Sequence, residues 1–133
     1  MAAEESSGIS VLECLQALGV SLVTEWDTLA FLYSHSPSLG TAAQIARLIG
    51  YENAEIGEAL HRLEALGLIH RSRVYQGTRL YRFSEPPEPG RHSCLLELMR
   101  LAQNRSGRLL LLKHLMRPRK ERRRSQDGGL HLA

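Results

Sequence analysis

Between Thr24 and Phe83 the repeat of apolar side chains changes once, and that change limits what the chain can fold into. Up to Leu66 they recur at spacings of three and four residues, as along one face of a helix. Residues 68–74 and 79–83 are instead short segments rich in β-formers, with Tyr75-Gln76-Gly77-Thr78 supplying turn chemistry between them. This order predicts helices followed by one β-hairpin. Along the second segment Arg79, Tyr81 and Phe83 are expected on one face, with Leu80 and Arg82 on the other.

The helical part divides at glycines. Ile9, Leu12, Leu15 and Leu18, with Val11 alongside, predict a short helix with one apolar stripe, stopped by Gly19. Thr24 followed by Asp27 predicts an N-cap and an acidic third position. The helix so opened carries Trp26, Leu29, Ala30, Leu32 and Tyr33 and ends near Ser36-Pro37. Thr41 is expected to cap a shorter helix, with Ile45, Leu48 and Ile49 facing inward and Gly50 closing it. After Tyr51-Glu52-Asn53 a third helix runs to about Leu66, with Ile56, Leu60 and Leu63 on one face and Gly67 beyond its end.

Past the hairpin, Pro86-Pro87-Glu88-Pro89-Gly90 predicts a rigid linker that no helix crosses. Leu95, Leu96, Leu98, Met99, Leu101 and Ala102 then predict a helix apolar around much of its circumference. Ser106-Gly107 interrupts the pattern and Leu109 to Leu115 resumes it. Residues 1–8 are polar and small, which predicts a frayed end, and the composition beyond Arg117 predicts a disordered tail.

At 133 residues the chain fits one domain with a core able to fold without disulfide or metal. Cys14 and Cys94 share no CxxC or Cys/His spacing, which argues against a disulfide framework and for a reducing compartment. The opening Met1-Ala-Ala-Glu-Glu lacks the basic and apolar segments of a signal peptide, and no stretch approaches the roughly 18 apolar residues of a membrane span. A soluble cytoplasmic protein is expected. Its net charge of +3 is unevenly spread: residues 1–66 hold two arginines and nine carboxylates, while residues 67–133 hold fifteen Lys/Arg and five carboxylates. A basic half of this size points to a polyanionic partner, nucleic acid first.

Three helices followed by a hairpin is the winged helix-turn-helix layout. The expected fold is therefore mainly α with a small β-hairpin, extended by N- and C-terminal helices. Its parts would be a helical extension over 1–23, the winged helix-turn-helix domain over 24–85, C-terminal dimerisation helices over 91–116 and a basic tail over 117–133. In such a unit the third helix enters the major groove of DNA and the hairpin, or wing, reaches neighbouring backbone.

The runs Ala43-Gln-Ile-Ala-Arg-Leu-Ile-Gly and Glu55-Ile-Gly-Glu-Ala-Leu-His-Arg-Leu-Glu-Ala-Leu-Gly-Leu-Ile-His-Arg, followed by the Gly77 turn, resemble bacterial winged-helix regulators of the MarR and ArsR kind. Leu63-Glu-Ala-Leu-Gly-Leu-Ile with Arg71 after it is the most diagnostic part. The resemblance covers about residues 24–84. It implies transcriptional control by a homodimer, with the terminal helices making the dimer, and double-stranded DNA as the partner. Carried onto this chain, it places Glu55, Glu58, His61 and Arg62 outward on the third helix near its start at Asn53. Gln44 and Arg47 would touch phosphate, and Arg71, Arg73, Tyr75, Gln76, Thr78 and Arg79 would form the wing's contact surface. Arginine on phosphate supplies affinity; Asn, Gln or Arg at base edges supplies discrimination.

Other readings compete with this one. The third helix carries Glu52, Glu55, Glu58 and Glu64 against Arg62, and carboxylates beside a phosphate backbone repel. That acidity motivates an alternative in which the winged helix is a protein interaction module without DNA. A further reading is a repressor gated by redox or by a small-molecule effector held between the winged domain and the terminal helices, although the sequence names no effector. The run Arg117–Arg124 is read either as a non-specific DNA contact or as a solubilising tail. Six histidines show no ligand spacing, so no metal is expected. His92-Ser93-Cys94 groups suggestive residue types, but nucleophile and base are rarely adjacent in sequence, and no phosphate loop or paired carboxylates accompany them. Neither an enzyme nor a cofactor is indicated.

Overall fold

A computed structural model describes residues 11–74 and 76–117. The expectations for residues 1–8, Ile9, Tyr75 and the tail beyond Arg117 lie outside these. The described chain is mainly helical, with one two-stranded antiparallel sheet. Residues 11–18 form α1, followed by α2 (Val23–Ser34), α3 (Ala42–Ile49), α4 (Asn53–Ala65), β1 (Ile69–Arg71), β2 (Tyr81–Phe83), α5 (Pro89–Leu101) and α6 (Arg105–Lys113).

Several boundaries follow from the expected chemistry. Thr41 and Gln44 close a reciprocal cap on α3, each side chain accepting the other's backbone N–H at 3.0 Å. Gly19, Gly50 and Gly67 all take positive φ at helix ends. At Gly67 the left-handed turn lets its own N–H reach Glu64 O and the Leu68 N–H reach Leu63 O, both at 3.0 Å, so the last carbonyls of α4 find donors.

Four expectations are corrected. Helix α2 begins at Val23, not after Thr24. Glu25 serves its first turn, accepting from Ser21 N–H at 3.0 Å and Leu22 N–H at 3.3 Å, while the buried Thr24 hydroxyl has no partner among the described residues. On α1 the buried stripe is Val11, Cys14, Leu15 and Leu18, and Leu12 faces outward, because a helix turns every 3.6 residues rather than every three. On α3 Ile45 and Ala46 are buried and Ile49 packs partly buried against the core, whereas Leu48 is 67% exposed. Finally, α5 starts inside the expected linker. Pro89 occupies its first turn, where the missing N–H costs no helical bond and the fixed φ already suits a helix.

The hairpin pairs Ile69 with Phe83, His70 with Arg82 and Arg71 with Tyr81. Ser72 extends it by donating to Leu80 O at 2.8 Å and accepting the Leu80 N–H on its hydroxyl at 2.9 Å. Gln76 and Gly77 both have positive φ, the turn conformation whose twist matches that of paired strands. On its other edge β2 meets the segment before α3: Gly40 and Tyr81 exchange backbone hydrogen bonds at 3.0 and 2.8 Å. This ties the hairpin to the entry of α3. Inward-facing Ile69 and Phe83 join a single core cluster that draws residues from every described helix, among them Leu15, Leu29, Ile45, Leu60, Leu98 and Leu111.

Arg91 on α5 fastens three helices at one point. Its guanidinium donates to Ala17 O and Leu18 O at 3.0 Å, at the C-terminus of α1, and to Leu66 O at 2.8 Å, at the C-terminus of α4. Helix C-termini carry partial negative charge and unsatisfied carbonyls, so one cation there answers both. Glu88 holds the same guanidinium from one turn back, at 3.2 Å. Close approach of a different kind joins α5 to α6. A Cβ on Gly107 would stand 1.7 Å from Leu101 O, so only glycine fits there.

Replacing Arg91 with alanine leaves these carbonyls without their donor, and each hydrogen bond to a charged group is worth about 1.5–3 kcal/mol. Arg91→Ala is expected to lower unfolding free energy by about 3 kcal/mol in urea titration, and Arg91→Lys by less. A loss under about 1 kcal/mol would show that the junction does not hold the helices together.

Candidate functional site

The surface formed by α3, α4 and the hairpin gathers most of the residues singled out from the sequence. Helix α4 presents Asn53, Glu58 and His61 on its exposed side, with Ala54 and Gly57 between them. Its opposite side is core: Ile56, Leu60 and Leu63 are fully buried. On α3, Gln44 and Arg47 are exposed. Gln44 spends its carbonyl oxygen on the Thr41 cap, which leaves its NH2 group as the donor for an outside partner.

Two of the expected contact residues point elsewhere. Glu55 is 8% exposed and accepts the Glu52 backbone N–H at 3.1 Å, so it serves the start of α4 rather than its outer face. An acid at the third helical position is drawn inward because the unsatisfied N–H groups lie there. Arg62 is turned toward the α1–α2 junction, donating to Gly19 O at 3.3 Å and standing 4.0 Å from the Glu25 carboxylate.

These placements change the electrostatics read from the sequence. Glu55 is folded under the helix start. Glu64 pairs with Arg71 of β1 at 3.2 Å. Of the four α4-region carboxylates, Glu58 lies on the exposed face beside His61, and Glu52 lies at the helix entry. The acidity that a linear count assigns to the whole helix is therefore concentrated at its N-terminal half.

The hairpin is basic and open. Arg71, Arg73, Arg79 and Arg82 are all exposed, as are Gln76 and Thr78, while Tyr75 lies outside the described residues. Arg79 donates to Ser72 O at 3.3 Å, which holds its side chain across the hairpin. Among the described residues no carboxylate lies within ion-pair distance of Arg73, Arg79 or Arg82.

One contact that sequence reasoning missed fixes the turn before α4. The Tyr51 hydroxyl donates to the Asp27 carboxylate at 2.6 Å, hanging the α3–α4 turn from the middle of α2. Burial, followed by this hydrogen bond, pushes the Tyr51 phenol above its ordinary value, and the Arg117 charge opposes the rise. Burial likewise pushes the Asp27 carboxyl up, with the tyrosine's bond pulling the other way. No spacing rule links residues 24 apart in a helix and a turn, so the pair carried no sequence signal.

The cysteines give a second surprise. Cys14 is buried on α1 with its thiol against that of Cys94 on α5, and both are unbridged. Burial and then the neighbouring thiol push Cys14 up to about 12, so its thiolate is scarce at neutral pH. A cleft of about 250 Å³ opens between the end of α2 and α3, where Phe31, Leu39 and Leu48 face Arg47. Among the described residues no group of three or more His, Cys, Asp or Glu is placed to hold a metal, and no helix is long and apolar enough to cross a membrane.

Tyr51→Phe leaves the partly buried Asp27 carboxylate without its donor and is expected to cost about 1–3 kcal/mol of stability at pH 7. Asp27→Asn tests the pH dependence. Because folding raises the Asp27 value, its contribution is greatest below the ordinary carboxylate range and is lost as pH rises through the folded value. The stability of Asp27→Asn relative to the parent should therefore climb from pH 3.5 toward pH 7 in thermal melts; a flat difference would count against the buried-carboxylate account.

No protein-family model matches the chain, and no curated protein is significantly similar to it, so the functional reading rests on this surface.

Proposed function

We propose that the chain is a DNA-binding transcriptional regulator of the winged helix-turn-helix kind, related in layout to the bacterial MarR and ArsR groups and acting in the cytoplasm as a homodimer. The observation that carries this reading is the basic hairpin beside α4. Exposed arginines project from an element whose strands are tied both to the end of α4, through Arg71 and Glu64, and to the start of α3, through Gly40 and Tyr81. The order α2, Gly40 bridge, α3, α4, hairpin suits that fold, with α3 and α4 as the helix-turn-helix and the hairpin as its wing.

In the proposed complex the exposed side of α4 lies in the major groove. Asn53 and His61 offer hydrogen bonds to base edges, and Glu58 can accept from a cytosine amino group. Ala54 and Gly57 let the helix backbone approach closely. Gln44, Arg47, Arg73 and Arg79 meet phosphate, where they position the protein without reading sequence. Exposed Leu12, Leu96, Leu109 and Leu112 on the terminal helices support a second copy as the partner on that side.

A second reading is favoured by one feature. Leu39 and Leu48, 51% and 67% exposed, border the cleft beside Arg47, as a surface that receives another protein would. In that case the fold serves protein interaction and not DNA.

Fluorescence anisotropy with random-sequence duplex across about 50–200 mM salt separates the two. The DNA reading expects saturable binding with a steep salt slope. Arg73→Ala with Arg79→Ala should weaken binding to every duplex and flatten the slope by about two per protomer. Flat anisotropy at the lowest salt would sink the DNA reading and favour the interaction module; an unchanged double variant would remove the hairpin from the mechanism.

A further inference from the structure

Helices α1 and α5 lie along each other in a fixed register. The Arg91 guanidinium on α5 meets Ala17 O and Leu18 O on α1, both at 3.0 Å. Cys94 lies three residues onward along α5 and Cys14 three residues back from Ala17 along α1, and the two thiols face each other, unbridged. A match that advances on one helix while it retreats on the other is antiparallel packing, so the guanidinium and the thiols belong to one seam, about a helical turn apart. A disulfide needs Cα atoms about 4.4–6.8 Å apart. Helices packed with roughly 8–10 Å between axes bring facing Cα atoms to roughly 4–5 Å, because each Cα stands about 2.3 Å from its axis. Side-by-side packing therefore meets the requirement with little movement of the backbone.

The two sulfurs differ in access. Cys14 is 8% exposed and belongs to the core, whereas Cys94 packs against that core and stays partly open. Burial first, then the Cys94 thiol, then the charges of Glu97 and Glu13, push the Cys14 thiol up to about 12. A dissolved oxidant thus meets Cys94 first, and Cys14 stands behind it as the partner sulfur.

We propose that Cys14 and Cys94 form a modification site, which a hydroperoxide oxidises to a reversible intramolecular disulfide fastening α1 to α5. The inference goes beyond the DNA-binding reading and does not depend on it. With hydrogen peroxide the chemistry closes in two steps. The Cys94 sulfur attacks one peroxide oxygen and the O–O bond breaks; a sulfenic acid forms, and the Cys94 proton leaves with the other oxygen as water. The Cys14 sulfur then attacks the Cys94 sulfur. The S–S bond forms, the S–O bond breaks, and the hydroxyl departs with the Cys14 proton as a second water. Two thiols are oxidised by two electrons and one peroxide is reduced to two waters.

The bond closes a ring from Cys14 to Cys94 that contains α2, α3, α4 and the hairpin. Rings of this length are where a cross-link most restricts the unfolded chain. The bond also adds a covalent tie to a seam that Arg91 holds through hydrogen bonds. Where thiols are kept reduced, such a pair stays open until an oxidant arrives and reopens once it is spent.

The test uses the full chain, purified reduced and treated with a small excess of hydrogen peroxide at neutral pH. Remaining thiols are capped with N-ethylmaleimide in denaturant, and intact mass, peptide maps and non-reducing electrophoresis are read. The expected product takes up no maleimide, is lighter by two hydrogen atoms, and yields a peptide joining Cys14 to Cys94 within one chain. It should melt at least about 5 °C above the reduced protein, and reduced glutathione in excess should restore both thiols and the lower melting temperature. Cys94→Ser should leave Cys14 reduced at the same dose, while Cys14→Ser should leave a sulfenic acid on Cys94 that dimedone captures.

Two maleimides still attached after peroxide, or added oxygen on Cys94 without a bridge, would show that the seam holds the sulfurs apart and overturns the proposal. A bond found between chains and not within one overturns it as well. A bridge that excess reduced glutathione fails to open is a permanent staple, which equally removes the reversible site. Each of these readings comes from the native sequence, so none depends on a variant folding.

Discussion

The arrangement depends on one guanidinium. Arg91 reaches carbonyls at the ends of α1 and α4 from a third helix that begins more than twenty residues after the second of them. Three carbonyls at two helix ends that would otherwise need water or separate caps are satisfied by one planar cation, whose several donors radiate in fixed directions. Its position also decides what kind of molecule this is. With α5 fastened to α4, the terminal helices share the core of the central helices rather than standing apart as an appended arm. Their leucines are divided between two roles: Leu15, Leu18, Leu95 and Leu98 fill the core, while Leu12 and Leu96 remain outside.

Local chemistry was legible in the sequence, and long-range pairing was not. The Thr41 cap, the glycine stops and the inward face of α4 follow from neighbours within four residues, where helix geometry fixes who meets whom. The order of helices and hairpin followed too. What escaped reading has a common cause. Arg91 binds backbone carbonyls, which every residue possesses and no sequence pattern marks. Tyr51 and Asp27 meet because the α3–α4 turn folds against α2, and Cys14 and Cys94 meet because α5 packs on α1. Leu48 and Glu55 failed in opposite senses, an apolar side chain left outside and an acid drawn in. In each, spacing gives a side chain's angle around its helix but not how wide the covered sector is.

The candidate interface shows how folding edits a charge count. Read linearly, α4 and its entry hold four carboxylates and one arginine, an unpromising surface for a polyanion. In three dimensions Glu55 caps, Glu64 neutralises Arg71, and Arg62 is lent to Gly19 and Glu25. The surface that remains is graded, acidic at the start of α4 and basic along the hairpin. A partner that follows this gradient has a preferred direction across the protein, which a uniformly basic face would not impose.

The sheet has a consequence for self-association. Gly40 occupies one edge of β2, and β1 covers the other, so the outer edge of β1 is where another strand would have to add. That edge is three residues long, carries exposed His70 and Arg71, and has Arg71 tethered to Glu64. Edges this short and charged resist templating by a foreign strand. Ribbon-like polymerisation by strand addition at the β1 edge is thereby disfavoured.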